Sequence, residues 1–249
     1  MTIGYLITEA ALYVAFLALD LAGGMSHIAD PLKMASISLV FVFVLGRLIG
    51  EKRKAGRAAN EARSAVADRA FLCGAFFFAV IADIFLLFGG DTVAGVLCFC
   101  AVQTIHLARM TDLKKGAVRL CFRLSLAGLL FALLSTLLSY RGTDLFVVIF
   151  YAISFADNLF VSAGLCRMLR RGGEGKLLAG AGFPAALRLF AGLALFFMCD
   201  ICVALYNAPS FAEGALPDGL AAWLLAARPV TGILMWFFYL PGQVLISLS

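Results

Sequence analysis

Residues 196 to 205 read FFMCDICVAL, and Asp200 at their centre is the sole charge between Arg188 and Glu213. A second acid, Asp83 in GAFFFAVIADIFLLF, sits in the same kind of surroundings. An acidic side chain at the middle of a bilayer costs roughly 2.5 kcal/mol or more on insertion scales, so such residues face a protein interior or a water-filled cavity. Two carboxyls brought together there are equipped for acid-base work. One donates a proton while the other steadies a cation or activates water, as in glycoside cleavage. Close carboxyls in a low-dielectric site do not both ionise, which leaves one of them holding a proton near neutral pH. Their positions along the chain do not say which is acid and which is base.

The elements that must hold these groups follow from composition. Of 249 residues, 63% are hydrophobic and 14% charged, against about 25% charged in a typical soluble domain. That balance describes an all-α polytopic integral membrane protein, because in lipid the helix satisfies its own backbone polar groups. Apolar runs long enough to span, about 20 residues, occur at roughly 3–22, 33–50, 70–89, 92–109, 120–139, 145–166, 188–207 and 229–248. They predict eight helices in one transmembrane domain. The second and fourth runs are short and Arg119 and Arg123 crowd the start of the fifth, so seven is the alternative count. The opening MTIGYLITEA lacks the basic n-region of a cleavable signal, and the first helix is expected to stay in the mature protein.

Basic residues orient the bundle, because cytoplasmic connections are enriched in Lys and Arg. Seventeen of the 20 basic residues fall in or beside three alternate connections: Arg47 to Arg69, Arg109 to Arg123, and Arg167 to Arg188. Lys33, Arg141 and Arg228 are left for the other side, with Asp30, Asp91, Asp144, Glu213 and Asp218. Both termini are therefore expected in the cytoplasm, in a multi-pass protein of the cell membrane. The net charge of +5 is accounted for by basic loops beside anionic lipid head groups, with no nucleic acid as partner.

Two motifs are set aside. RRGGEGKLLAGAG carries Gly172, Gly173, Gly175 and Lys176 but lacks the Ser or Thr after the Lys and the preceding strand that a phosphate-cradling loop requires. Cys199 and Cys202 flank Asp200 in a CxxC spacing, yet no second ligand pair accompanies them among seven Cys and two His. They read as small apolar residues, and neither a metal nor another cofactor is expected.

The remaining polar residues of the spans are Glu9, Asp20, Gln103, His106, Asp157, Asn158, Tyr239 and Gln243. Glu9 and Asp20 lie near opposite ends of the first helix, where snorkelling to the interface is easy. Asp157 lies near mid-membrane and either joins the aspartates' cavity or bonds a neighbouring helix. A weak internal symmetry is visible. Dividing the chain into two four-helix halves puts an Asp on the third helix of each, Asp83 and Asp200, and a Gln on the fourth, Gln103 and Gln243. Such halves would be parallel repeats about an axis along the membrane normal.

The ordered set of ADIFLLF, GVLCF with Gly95 and Phe99, Gly192, Phe196 and Asp200 in G-x3-F-x3-D, and Tyr239, Gln243, Leu245 and Ile246 in Y-x3-Q-x-L-I resembles the YhhN-like lysoplasmalogenase family. Pro31-Leu32 matches a Pro-Leu of that family. The pattern departs at Asp30, Ala82, Cys199, Gln103 and His106, where the family has Lys, Gly, Ser, His and Tyr. The resemblance implies an eight-helix membrane enzyme that hydrolyses the vinyl-ether bond of lysoplasmalogens without a metal, releasing a fatty aldehyde and a glycerophospho-alcohol. It implies Asp83 and Asp200 as the catalytic pair. Gln103, His106, Tyr239 and Gln243 are the matching candidates for contacts to water or the lysophospholipid head group. Two other classes stay open: a small transporter or channel with a carboxylate-lined path, favoured by a discontinuous helix at Pro241-Gly242, and a non-catalytic protein whose polar residues join helices.

Overall fold

The helices run longer than the apolar stretches that mark them. The structure, a computed structural model, describes residues 2–23, 26–55, 60–137, 142–173, 182–211 and 217–249. Arg57, Arg141, Gly175, Lys176 and Glu213 lie outside the described residues. The helices are α1 (Thr2–Ala22), α2 (Ser26–Ala55), α3 (Asn60–Ile84), α4 (Thr92–Met110), α5 (Leu113–Leu137), α6 (Thr143–Arg170), α7 (Gly182–Phe211) and α8 (Asp218–Ser247). Among the described residues these eight all contain stretches long and apolar enough to cross a membrane, in line with the count of eight. Most of the connection expected at 51–68 is helical, since Lys, Arg, Glu and Ala support a helix as well as Leu does. Pro31 lies inside α2 instead of opening it, and α8 runs unbroken through Pro229 and Pro241.

Local chemistry explains two of the boundaries near the acids. Immediately after Asp83, α3 relaxes into a π-helical turn, Phe85–Gly89, closed by Gly90 at φ 65°, a left-handed conformation that glycine adopts without strain. Asp91 then caps α4, its carboxylate accepting from the Ala94 amide at 3.0 Å.

Six helices close a ring in the order α2, α3, α4, α6, α7, α8, with α1 laid over the seam of α2 and α8 and α5 over that of α4 and α6. Moving every label by four maps these neighbours onto one another: α1 with α2 becomes α5 with α6, and α4 with α6 becomes α8 with α2. This is the arrangement two parallel four-helix halves would give. It also sets α3 and α7, the carriers of the two aspartates, opposite each other across the ring.

Packing inside the ring is close. Gly192 and Gly242 let α7 and α8 touch through their backbones: a Cβ on Gly192 would lie 2.7 Å from the Gly242 carbonyl oxygen, and one on Gly242 would lie 2.9 Å from the Gly192 oxygen. Small residues that admit such approach drive helix association in lipid, where no hydrophobic force operates between helices. Phe16, Phe76, Phe155 and Phe196 are buried, whereas Ile7, Val14, Phe160 and Val230 are exposed where lipid would cover them.

The basic residues are not all loop charges. At the ring's basic end, Arg47 donates to the Ser247 carbonyl at 3.0 Å, Arg188 to Leu248 at 2.9 Å and Arg69 to Ser249 at 2.8 Å. Arg109 grips Asp68 through two bonds of 2.9 and 3.1 Å. Cations and donors are thus gathered on the carbonyls of the last turn of α8, where the helix dipole is negative. At the opposite end, Lys33 pairs with Asp20 at 3.0 Å and Asp30 at 3.1 Å and lies over Trp236. Asp20 is therefore fixed by a buried lysine. Glu9 is likewise buried, accepting from Ser36 at 2.5 Å, so packing against α2 replaces the snorkelling expected of it.

Candidate active site

Each aspartate of the pair accepts a hydrogen bond from a phenol. Tyr239 on α8 donates to Asp83 Oδ2 at 2.7 Å, and Tyr151 on α6 donates to Asp200 Oδ2 at 2.7 Å. Asp83 is buried and Asp200 partly exposed. The two halves of the site meet through one aromatic cluster.

An aromatic cluster holds this group rigid. Phe196, one turn before Asp200 on α7, meets Tyr239 edge-on at 5.4 Å, Phe99 at 5.5 Å and Phe155 at 5.2 Å. Phe99 in turn lies 6.2 Å from Tyr151. Edge-to-face pairs of this kind contribute about 0.5–1.5 kcal/mol each beyond area burial. The backbone contact of Gly192 with Gly242 sits on the same two helices and sets the separation of Asp200 from Tyr239.

The other candidates are placed differently. Gln103 and His106 are buried on α4, toward its basic end. Gln103 Oε1 accepts from Asn158 at 2.8 Å, while Gln103 Nε2 and His106 Nδ1 have no protein partner. Gln243 is buried with Nε2 also unpartnered. Asp157 bonds a neighbouring helix: Arg119 reaches it at 2.5 Å and Arg123 at 2.9 Å, both from α5. Among the described residues, no three of His, Cys, Asp and Glu gather as metal ligands.

Tyr151 is the residue that sequence reading missed. A phenol in an apolar span is ordinary, and the available signal was depth alone, since Tyr151 and Asp200 lie at similar distances from the same end of neighbouring antiparallel helices. Two cavities of note lie away from the pair. One of about 530 Å³ is lined by Lys114, Lys115, Val118, Arg119 and Phe122. Another of about 200 Å³ lies between α1 and α8, beside Glu9 and Tyr13.

Comparison with known proteins returned no matching family model, no matching curated protein and no matching solved structure.

Proposed function

We propose that this protein is an intramembrane hydrolase that cleaves the vinyl-ether bond of a lysoplasmalogen-type lipid through Asp83 and Asp200. The observation that carries this reading is the pair of phenol-bonded carboxyls on helices facing each other across the ring, with the phenols joined through the Phe196 and Phe99 rings. The ordered likeness of ADIFLLF, G-x3-F-x3-D and Y-x3-Q to the YhhN-like lysoplasmalogenases supports it, now with Tyr239 on one of the two acids.

The chemistry suits two carboxyls. A proton from one adds to the alkene carbon remote from oxygen, and the π electrons form that C–H bond, leaving an oxocarbenium ion between the neighbouring carbon and the ether oxygen. The second carboxylate steadies this cation and then takes a proton from the water that attacks it, giving a hemiacetal. Transfer of the hydroxyl proton to the leaving oxygen breaks the C–O bond and frees aldehyde and alcohol. Tyr239 and Tyr151 hold one oxygen of each carboxyl and so aim the others. Unbroken α8 lacks the discontinuity at Pro241-Gly242 that favoured a transporter. Purified protein incubated with a lysoplasmalogen should release a fatty aldehyde, and its absence would remove this reading.

The same reading puts the basic end of the ring, with both chain ends, in the cytoplasm of a cell membrane. Orientation rests on the arginine- and lysine-rich connections. A single cysteine introduced at Asp91 should react with an impermeant thiol reagent added outside intact cells; reaction only after permeabilisation would invert the topology.

A further inference from the structure

A line of buried polar groups runs from the basic end of the bundle toward Tyr151 and Asp200. The line starts at Arg119, on the exposed face of α5 beside Lys114 and Lys115. Arg119 bonds Asp157, Asp157 accepts from Arg123, Arg123 Nη2 donates to Asn158 Oδ1 at 2.6 Å, and Asn158 Nδ2 donates to Gln103 Oε1 at 2.8 Å. On α6, Tyr151, Ser154, Asn158 and Ser162 recur at helical spacing along one face, and Asn158 and Tyr151 both meet α4 there. Facing them, α4 carries Phe99, Gln103 and His106 along its own stripe.

Among the described residues, four of the nine buried polar atoms without a partner belong to this line: Gln103 Nε2, His106 Nδ1, Ser154 Oγ and, on α5 beside Asn158, Arg123 Nη1. Gln103, Arg123 and Ser154 are 0% exposed and His106 2%. Leaving one buried donor or acceptor unsatisfied costs about 1–3 kcal/mol, and native proteins meet that demand with bound water. Four such atoms along one line, flanked by satisfied groups that lead to the exposed face of α5, mark where water is held. Ser154 lies between the Asn158–Gln103 bond and Tyr151, whose hydroxyl bonds Asp200.

We infer that the α4–α6 seam is a water path that connects the basic end of the bundle, through Asn158, Gln103 and Ser154, with Tyr151 and Asp200. Its purpose as the supply of hydrolytic water rests on the proposed hydrolase; its existence does not. Lipid reaches the acids from the membrane, and the second reactant arrives separately through the protein.

Radiolytic hydroxyl-radical footprinting reads bound water directly, because radicals formed from it oxidise adjacent side chains. In the purified wild-type protein, Tyr151 should be oxidised several-fold faster than Tyr13, a partly buried phenol off the seam, and His106 several-fold faster than Phe16 and Phe76, which are as deeply buried. Ser154→Val replaces the hydroxyl by two methyls and should cut labelling of Tyr151 several-fold while leaving His106, on the supply side, as in wild type. Ser154→Ala should lower Tyr151 labelling in the same direction, and low labelling of Phe16 reports that each variant is folded. Tyr151 oxidised no faster than Tyr13 in wild type, or unchanged in both variants, overturns the path. Aldehyde release separates the two readings: with the hydrolase intact, Ser154→Val lowers kcat at unchanged KM. If wild type releases no aldehyde, the hydrolase falls while the footprint still decides the path.

Discussion

Asp200→Asn and Asp83→Asn should each reduce vinyl-ether hydrolysis by about 10²–10⁴-fold, the usual worth of positioned acid-base assistance. Asparagine keeps the shape of the side chain and can still accept from Tyr151 or Tyr239 through its amide oxygen, so the phenol bonds of 2.7 Å survive in outline. What it loses is the acidic proton and the negative charge, which are what the two steps need. Because the carboxyls act as a unit, the double variant should be little worse than either single one. Folding should be unaffected, since an amide is easier to bury than a charge. Asp20→Asn, which alters an acid paired with Lys33 and separated from Tyr239 by the Trp236 ring, should be mild by comparison. Full activity in Asp200→Asn would make Asp200 a packing residue.

The largest effect on stability is expected at Asp68. Arg109 is 0% exposed and its guanidinium is held by Asp68 at 2.9 and 3.1 Å and by Ser249 Oγ at 3.2 Å. Breaking a buried pair by removing one partner costs about 3–5 kcal/mol, because the other charge stays buried without compensation. Asp68→Ala should lower the unfolding midpoint in detergent accordingly. Adding Arg109→Met should recover most of the loss, since replacing both members of a buried pair by apolar groups is often neutral. A wild-type midpoint for Asp68→Ala would mean that the clamp on the end of α8 contributes nothing to the fold.

Much of this architecture was legible in the sequence, and the reason is physical. Lipid demands long apolar runs, so the eight spans announce themselves, and a charge inside one, such as Asp83 or Asp200, stands out against its cost. The four-helix repeat was visible through the paired Asp and Gln positions and agrees with the neighbour pattern of the ring. What the sequence carries poorly is rotation about each helix axis. Depth can be counted along a chain, but which face a residue presents depends on neighbours distant in sequence.

That limit explains the particular surprises. Glu9 was placed at an interface and is buried against Ser36. Lys33, counted among exterior charges, is buried between Asp20 and Asp30. Arg47, Arg69, Arg109 and Arg188 were counted as loop charges and fold inward onto α8 and Asp68. Gln103 and His106 share neither aspartate and line the seam of α4 and α6. Tyr151 carried no charge to betray it, yet it bonds Asp200.

Hydrolysis in deuterium oxide tests the central claim most directly. Purified protein is incubated with a lysoplasmalogen in D₂O, and the released aldehyde is trapped and analysed by mass spectrometry. Catalysis by the aspartate pair protonates carbon, so each aldehyde should carry one deuterium on the carbon next to its carbonyl, and its formation should fall away in Asp83→Asn and Asp200→Asn. No aldehyde from the wild-type protein, or aldehyde free of that deuterium, would contradict hydrolysis by this pair.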